Sequence, residues 1–241
     1  MLVRKTPYRA TATGQAYLGL LRKVKSLESE IGESTNKRPT IKIAINRDSL
    51  DLYFLDLLSD RECSELFSLE IIADDQNNTL EYLKSGLVDM CISSEKKPLA
   101  NHTATYLGDM IYCLVCSPYF HKSYFSKNIS KDSLASAPLV IFDKSDKLQH
   151  SFLKDNFAIE PSASISQMPS VKSFKTAILG GFGYGLIPIL DIEKELTQKK
   201  IIEILPSKRF KVPLYLHQWE YQKDYIKFFT KKLFKASEKL T

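Results

Sequence analysis

The sequence predicts an α/β protein whose body has two lobes of one architecture, preceded by a long N-terminal helix. Three observations carry this. From Thr40 onward strand-like and helix-like segments alternate; the succession occurs twice, over 40–117 and again over 139–219; and residues 12–31 carry apolar side chains at helical spacing. Strands separated by short helices imply parallel βαβ units. With 241 residues, 44% hydrophobic and 26% charged, the composition is ordinary for a globular chain and excludes disordered, collagen-like and disulfide-framework classes.

Residues 1–11 are basic and polar rather than an apolar leader, and no apolar run approaches the roughly 18–20 residues of a membrane span. A cytoplasmic location without membrane contact is expected. Residues 12–32 read as one helix, about 30 Å long at about 1.5 Å per residue, with Thr11 or Thr13 as N-cap. Tyr17, Leu20, Val24, Leu27 and Ile31 alternate in steps of three and four, an a/d seam suited to a partner helix. Gly14 and Gly19 weaken that helix by up to about 1 kcal/mol each. The polar segment 33–39 reads as a linker, and 40–241 as the body.

In the body, Thr40–Ile45 alternates as a strand, Leu50–Leu58 has helical spacing and Leu69–Ala73 is strand-like. Thr79–Ser85 is a helix stopped by Gly86, Val88–Ile92 an apolar strand and Tyr106–Ser117 a long one. The second succession runs Leu139–Phe142 strand, Leu148–Asn156 helix, Ala163–Gln167 strand, then Val171–Leu179 helix stopped by Gly180-Gly181. Strand Tyr184–Ile187, helix Leu190–Leu196, strands Ile201–Leu205 and Leu214–Trp219, and helix Asp224–Leu240 complete it. One lobe takes 40–112 and 214–241, the other 113–213, with the chain crossing near 110–117 and 210–215. A cleft between such lobes is the expected ligand site.

Charge is unevenly spread. Residues 1–39 sum to +5, 207–241 to +6 and the middle to −5. The C-terminal excess, interleaved with Phe228, Phe229, Leu233 and Phe234, reads as the solvated face of an amphipathic helix.

Signals for catalysis are absent or weak. Cys63, Cys91, Cys113 and Cys116 include a lone CxxC inside an apolar run with no second pair and no neighbouring His, so buried free thiols are expected and no metal. Gly180-Gly-Phe-Gly-Tyr-Gly185 matches neither a phosphate loop nor a dinucleotide fingerprint, and its glycines read as close packing of a turn against a strand. The four histidines are scattered, and Asp74-Asp75 is a pair of the kind loops carry routinely. No enzyme activity and no cofactor are expected.

The segment Met1–Gln15, with Leu2-Val3, Arg4 and Thr11 to Gly14, resembles the wing and following helix start of LysR-type transcriptional regulators. The a/d helix is similar to their dimerising linker helix, and Gly181–Pro188 is general to the family. Ala44–Leu50, Phe142–His150, Ile192–Leu196 and Pro213–Trp219 resemble its lysine- and arginine-responsive ArgP (IciA) and LysG group. The resemblance covers essentially the whole chain. It implies an effector-binding domain of two Rossmann-like lobes, like the type 2 periplasmic binding proteins. It also implies a homodimer or homotetramer that binds operator DNA when full length, and a small cationic amino acid as effector. The recognition helix that the family places earlier is expected before Met1, which leaves residues 1–11 as part of the wing. Arg4, Lys5 and Arg9 would then contact DNA phosphates, weakly and without sequence preference. A second departure is the start of helix Val171–Leu179, where Ser173-Phe-Lys-Thr replaces the implied pattern.

In such folds ligands bind at strand C-termini. That points to Asn46, Asp48 and Ser49 after the first strand, Ser93 and Ser94 after Val88–Ile92, Phe142, Asp143 and Asp146 after the second lobe's first strand, and Pro169 and Ser170 before helix Val171–Leu179. Serine hydroxyls at 49, 93 and 94 suit an α-carboxylate. Asp48, Asp143 and Asp146 suit ammonium or guanidinium groups. Ser49 also reads as a cap for a helix starting near Leu50. Two rival readings are a transporter's amino-acid-binding protein, which needs an export signal, and an enzyme, which needs a cofactor lysine, metal cluster or nucleophile–base pair.

Overall fold

The structure, a computed structural model, describes residues 2–3, 9–11, 13–14, 17, 20–21, 24, 38–75, 78–144, 146–160 and 164–240. Near the N-terminus β1 (Leu2–Val3) pairs antiparallel with β2 (Arg9–Ala10). Thr13, Gly14, Tyr17, Leu20, Leu21 and Val24 are helical, and the Thr11 hydroxyl accepts the Gly14 N–H at 3.1 Å, the capping bond expected there. Leu27, Ile31, Arg4 and Lys5 lie outside the described residues, and so does the side chain of Arg9.

The chain divides into two compact units: unit 1 holds residues 1–108 and 213–239, unit 2 holds 109–212 and the chain's end. In unit 1, β3 (Thr40–Asn46) runs between β4 (Ser68–Asp74) and β5 (Met90–Ser93), parallel to both. Ile41, Ile43, Ala44 and Ile45 are all buried, because a central parallel strand is covered on both faces. β4 forms the sheet edge and bears Glu70, which pairs with Lys42 across the register at 2.6 Å. Beyond β5 come the C-terminal half of β11 (Phe210–Trp219), antiparallel to it, and then β6 (His102–Cys116).

Short helices connect these strands. The segment read as one helix over Leu50–Leu58 is two: α1 (Arg47–Asp51) and α2 (Leu55–Leu58), separated by a turn at 52–54 that buries Tyr53 and Phe54. α3 (Arg61–Leu66) has no counterpart in the sequence reading, although Asp60 caps it through the Cys63 N–H at 3.1 Å. α4 (Thr79–Lys84) ends at Gly86, whose φ of 66° and the bonds Gly86 N–H to Leu83 C=O and Leu87 N–H to Tyr82 C=O form a Schellman stop.

In unit 2, β6 lies between β9 (Gly185–Pro188) and β10 (Ile202–Glu203), antiparallel to both. β7 (Leu139–Ile141) runs parallel to β8 (Ile165–Gln167) and bridges to Tyr184 just before β9. Two further helices lie beyond the elements the sequence predicts: α5 (Pro118–Tyr124), capped by Ser117, and α6 (Lys131–Ser136), closed by a Ser130–Ser133 capping box. Both are too short for an apolar period to show, and the caps are their sequence signal. α7 (Leu148–Phe157), α8 (Val171–Leu179) and α9 (Ile189–Thr197) lie close to the expected ranges. Phe174, Ala177 and Ile178 of α8 pack with Cys113, Val115, Val140, Ile187 and Ile192 in the core.

The glycine-rich run is a packing device. A Cβ on Gly183 would lie 2.7 Å from the Pro138 carbonyl oxygen and 2.9 Å from Val140 Cγ2, closer than real atoms approach. In unit 1, α10 (Asp224–Ser237) closes the chain with Ile226, Phe229 and Leu233 buried. Phe229 meets Phe54 and Phe67 edge to face at 6.2 and 5.6 Å, while Lys227, Lys231 and Lys235 are exposed.

Candidate functional site

The parallel register brings the C-terminal ends of three strands together in unit 1. Asn46 stands opposite Asp74 at the end of β3, and Ser93 ends the neighbouring strand β5, which pairs with β3 at Ile43–Met90 and Ala44–Cys91. Asn46 and Ser93 are buried, as is Ser49 on α1. Ser49 is therefore not the cap expected of it. The helix starts at Arg47 with Asn46 in the cap position, and Asn46 makes no side-chain capping bond.

Asn46 Oδ1 and Ser49 Oγ have no hydrogen-bond partner among the described residues, and neither has the hydroxyl of Tyr53, four residues beyond Ser49. Burial pushes the Tyr53 phenol far up; the neighbouring Ser49 hydroxyl eases this slightly, without the geometry of a full hydrogen bond. Leaving such groups buried and unmet costs about 1–3 kcal/mol each, so their clustering at strand ends marks a place where something other than folding selects residues.

The rest of the rim is tied down. Ser93 Oγ accepts the Glu95 N–H at 3.2 Å, and the buried Thr79 hydroxyl donates to the Ile92 carbonyl at 2.7 Å. Ser94 and Asp48 are half-buried. Burial alone would raise the Asp74 carboxyl. The Tyr82 hydroxyl at 2.7 Å, the Asp75 N–H and the Asn78 amide hold it below the usual carboxylate range, with Arg47 adding to this.

In unit 2, Phe142, Asp143 and Asp146 follow β7, all half-buried, and Phe142 packs against the core of that unit. The Asp146 carboxylate accepts the Phe142 N–H and the Leu148 N–H, both at 2.9 Å, so it shapes its own loop. Ser170 and Pro169 are exposed, and Ser170 caps α8 by accepting the Ser173 N–H at 3.1 Å. Its hydroxyl also donates to Ser173 Oγ at 2.8 Å, which gives the departing Ser173 a structural use.

All four cysteines are free and buried; burial pushes Cys91, Cys113 and Cys116 up to about 12 and Cys63 to about 11. No group of three or more His, Cys, Asp or Glu side chains able to hold a metal occurs among the described residues. No described helix is long and apolar enough to cross a membrane. On the N-terminal helix, Tyr17, Leu20 and Val24 are 53%, 56% and 43% exposed.

Residues 64–218 match the family described as the LysR substrate binding domain. The chain belongs to the LysR family of transcriptional regulators. The HTH-type transcriptional regulator ArgP of Vibrio cholerae is 36% identical to it over 226 residues, 91% of this chain and 76% of that protein. ArgP of Vibrio parahaemolyticus is 34% identical with the same shares. Among solved structures, ArgP from Mycobacterium tuberculosis superposes with a TM-score of 0.86 at 26% identity, covering 100% of this chain and 82% of its own. LysG from Corynebacterium glutamicum, solved with bound effector Arg, gives 0.82 at 22% identity, covering 99% and 82%. These similarities establish the α/β architecture of the family's effector-binding domains and decide for a regulator over a transporter's binding protein; the relatives are not enzymes.

In this LysR regulator two residues near the strand ends escape sequence reasoning. Tyr53 looks like an ordinary core aromatic, and only its buried hydroxyl sets it apart. His217 was one of four scattered histidines, yet it is fully buried, with Nε2 2.6 Å from the Glu95 carbonyl oxygen. A polar residue inside the apolar strand Leu214–Trp219 was the available signal.

Proposed function

We propose that this LysR regulator senses a cationic amino acid, L-arginine or L-lysine, and that Asn46, Ser49, Ser93 and Ser94 of unit 1 hold its α-amino-acid end. The observation that carries this is the pair of buried polar atoms, Asn46 Oδ1 and Ser49 Oγ, which have no hydrogen-bond partner among the described residues, at the C-terminal end of β3. A carboxylate and an ammonium group would satisfy an acceptor and a hydroxyl placed there. Asp48 is the unit 1 carboxylate assigned to the cationic tail. In unit 2, Asp143 is a candidate carboxylate by itself, while Phe142, Asp146, Pro169 and Ser170 belong to the loops after β7 and before α8. The bound effector Arg of LysG, which shares the fold, supports the ligand class.

The same reading makes the 12–31 helix a dimer seam, because exposed Tyr17, Leu20 and Val24 sit at a/d spacing. Arg4, Lys5 and Arg9 are assigned to DNA phosphates, and the chain to the cytoplasm. The effector shifts the regulator between states only by binding one better, typically by about 1–3 kcal/mol.

Isothermal titration with L-arginine, L-lysine, L-glutamine and L-glutamate tests the ligand class. Saturable binding of one or both basic amino acids is expected. Binding of L-glutamine or L-glutamate with none of the basic pair refutes the proposal.

A further inference from the structure

The Ser93–Ser94 segment rests on a buried histidine, and we infer that His217 is a positioning residue that holds this effector loop in its binding shape. The inference rests on the reading of Ser93 and Ser94 as effector contacts. His217 lies on β11 opposite Cys91 of β5, and directly opposed residues of an antiparallel pair share a face. Cys91 packs there with Leu80, Leu83 and Val88. In that apolar setting His217 is fully buried, with Nε2 2.6 Å from the Glu95 carbonyl oxygen. A carbonyl only accepts, so Nε2 carries the proton. Nδ1 is then a buried acceptor with no partner among the described residues.

Both backbone polar groups of Glu95 are engaged, its N–H by Ser93 Oγ at 3.2 Å and its C=O by His217. The far end of the same loop is fixed in a similar way. His102 Nδ1 lies 2.8 Å from the Ala100 carbonyl oxygen, its ring packs against Trp219 at 4.5 Å with the planes tilted by 39°, and the Asn101 carbonyl accepts the Glu220 N–H at 3.2 Å. Folding alone does not call for an imidazole at position 217. An apolar side chain would fill that face of β11 without leaving Nδ1 unmet, and the bond to Glu95 acts on the residues that follow Ser93. The titratable groups around the imidazole are Cys91 on β5, Glu95 in the loop and His102 on β6. Burial holds His217 below the ordinary histidine range, so it stays neutral while the effector binds.

The test compares His217→Leu, which removes the donor, with His217→Gln, which keeps an amide donor at the same reach, using Ser93→Ala as the site control. L-Arginine affinity is expected to fall about tenfold or more in His217→Leu and to stay within about threefold of wild type in His217→Gln. Hydrogen exchange of the Glu95 to Lys97 amides should quicken in the leucine variant alone. Equal losses in both variants, or none in His217→Leu when Ser93→Ala weakens binding, overturn the role. If Ser93→Ala binds L-arginine normally, the effector reading falls instead, and an unchanged Glu95 exchange rate in His217→Leu then overturns the holding role by itself. Should His217→Leu not fold, long-range nitrogen–proton spectra of the wild-type imidazole decide. An Nε2–H tautomer whose resonances move on saturation with L-arginine supports the inference, and unmoved resonances overturn it.

Discussion

Replacing Ser49 with alanine is expected to move stability and effector affinity in opposite directions. The Ser49 hydroxyl is 0% exposed and has no hydrogen-bond partner among the described residues, so the ligand-free fold carries its desolvation, about 1–3 kcal/mol, uncompensated. Removing one oxygen leaves a void smaller than a methyl group and costs part of that back in lost contacts. The net effect on the ligand-free chain is a change between zero and a gain of about 1 kcal/mol, or up to about 4 °C in Tm for a chain of this size. If the hydroxyl bonds the effector carboxylate, a charge-assisted bond disappears and affinity falls by about 1–3 kcal/mol, some 5- to 150-fold. Urea denaturation without ligand and isothermal titration with L-arginine read the two quantities separately. A Ser49→Ala protein that is destabilised by more than about 1 kcal/mol and binds arginine normally would show the hydroxyl to be structural, and the argument from its missing partner would fail.

Other consequences follow from the same geometry. Gly183→Ala forces a Cβ to within 2.7 Å of the Pro138 carbonyl oxygen, which is backbone and cannot rotate away, so urea unfolding should show a loss of about 1–3 kcal/mol. Leu20→Asp puts a charge into the proposed seam, and light scattering at micromolar concentration should report a smaller oligomer than for the wild type; an unchanged mass refutes the seam. For His217, burial, opposed by the bond to Glu95, lowers the folded-state value, so the unfolded chain binds its proton more readily. Its contribution is fully present above about pH 6.5 and is lost as pH falls from there toward the lowered value. Urea midpoints at pH 7.5 and 5.5 should show a loss that shrinks in His217→Gln, and an identical loss in both proteins would contradict the assignment.

The alternation of strands and helices was legible because each carries a local period. Ile41, Ile43 and Ile45 announce a buried strand, Gly86 a helix stop, and the phenylalanines and lysines of 224–237 an amphipathic helix. The short helices after Asp60, Ser117 and Ser130 were not legible by period, because six or seven residues complete too few turns. Their caps alone gave them away. Similarly, Leu50–Leu58 has helical spacing, yet the core takes Tyr53 and Phe54 into a turn between two helices. Among the chosen site residues, sequence position could say which ones follow a strand. It could not say which hydroxyls and carboxylates were already engaged. Ser170 and Asp146 turn out to serve local backbone N–H groups, whereas buried atoms of Asn46 and Ser49 find no partner among the described residues.

The order of residue types along this chain was enough to determine an α/β regulator of the LysR kind, since periodicity, caps and family segments are written in neighbouring positions. Which strand ends meet, that Asn46 comes to lie opposite Asp74, and that His217 reaches Glu95 across 122 positions, were decided only by the tertiary fold. The physical reason is that strand register and burial arise from contacts between distant segments. Whether a polar atom is satisfied depends on what those contacts bring within about 3 Å of it.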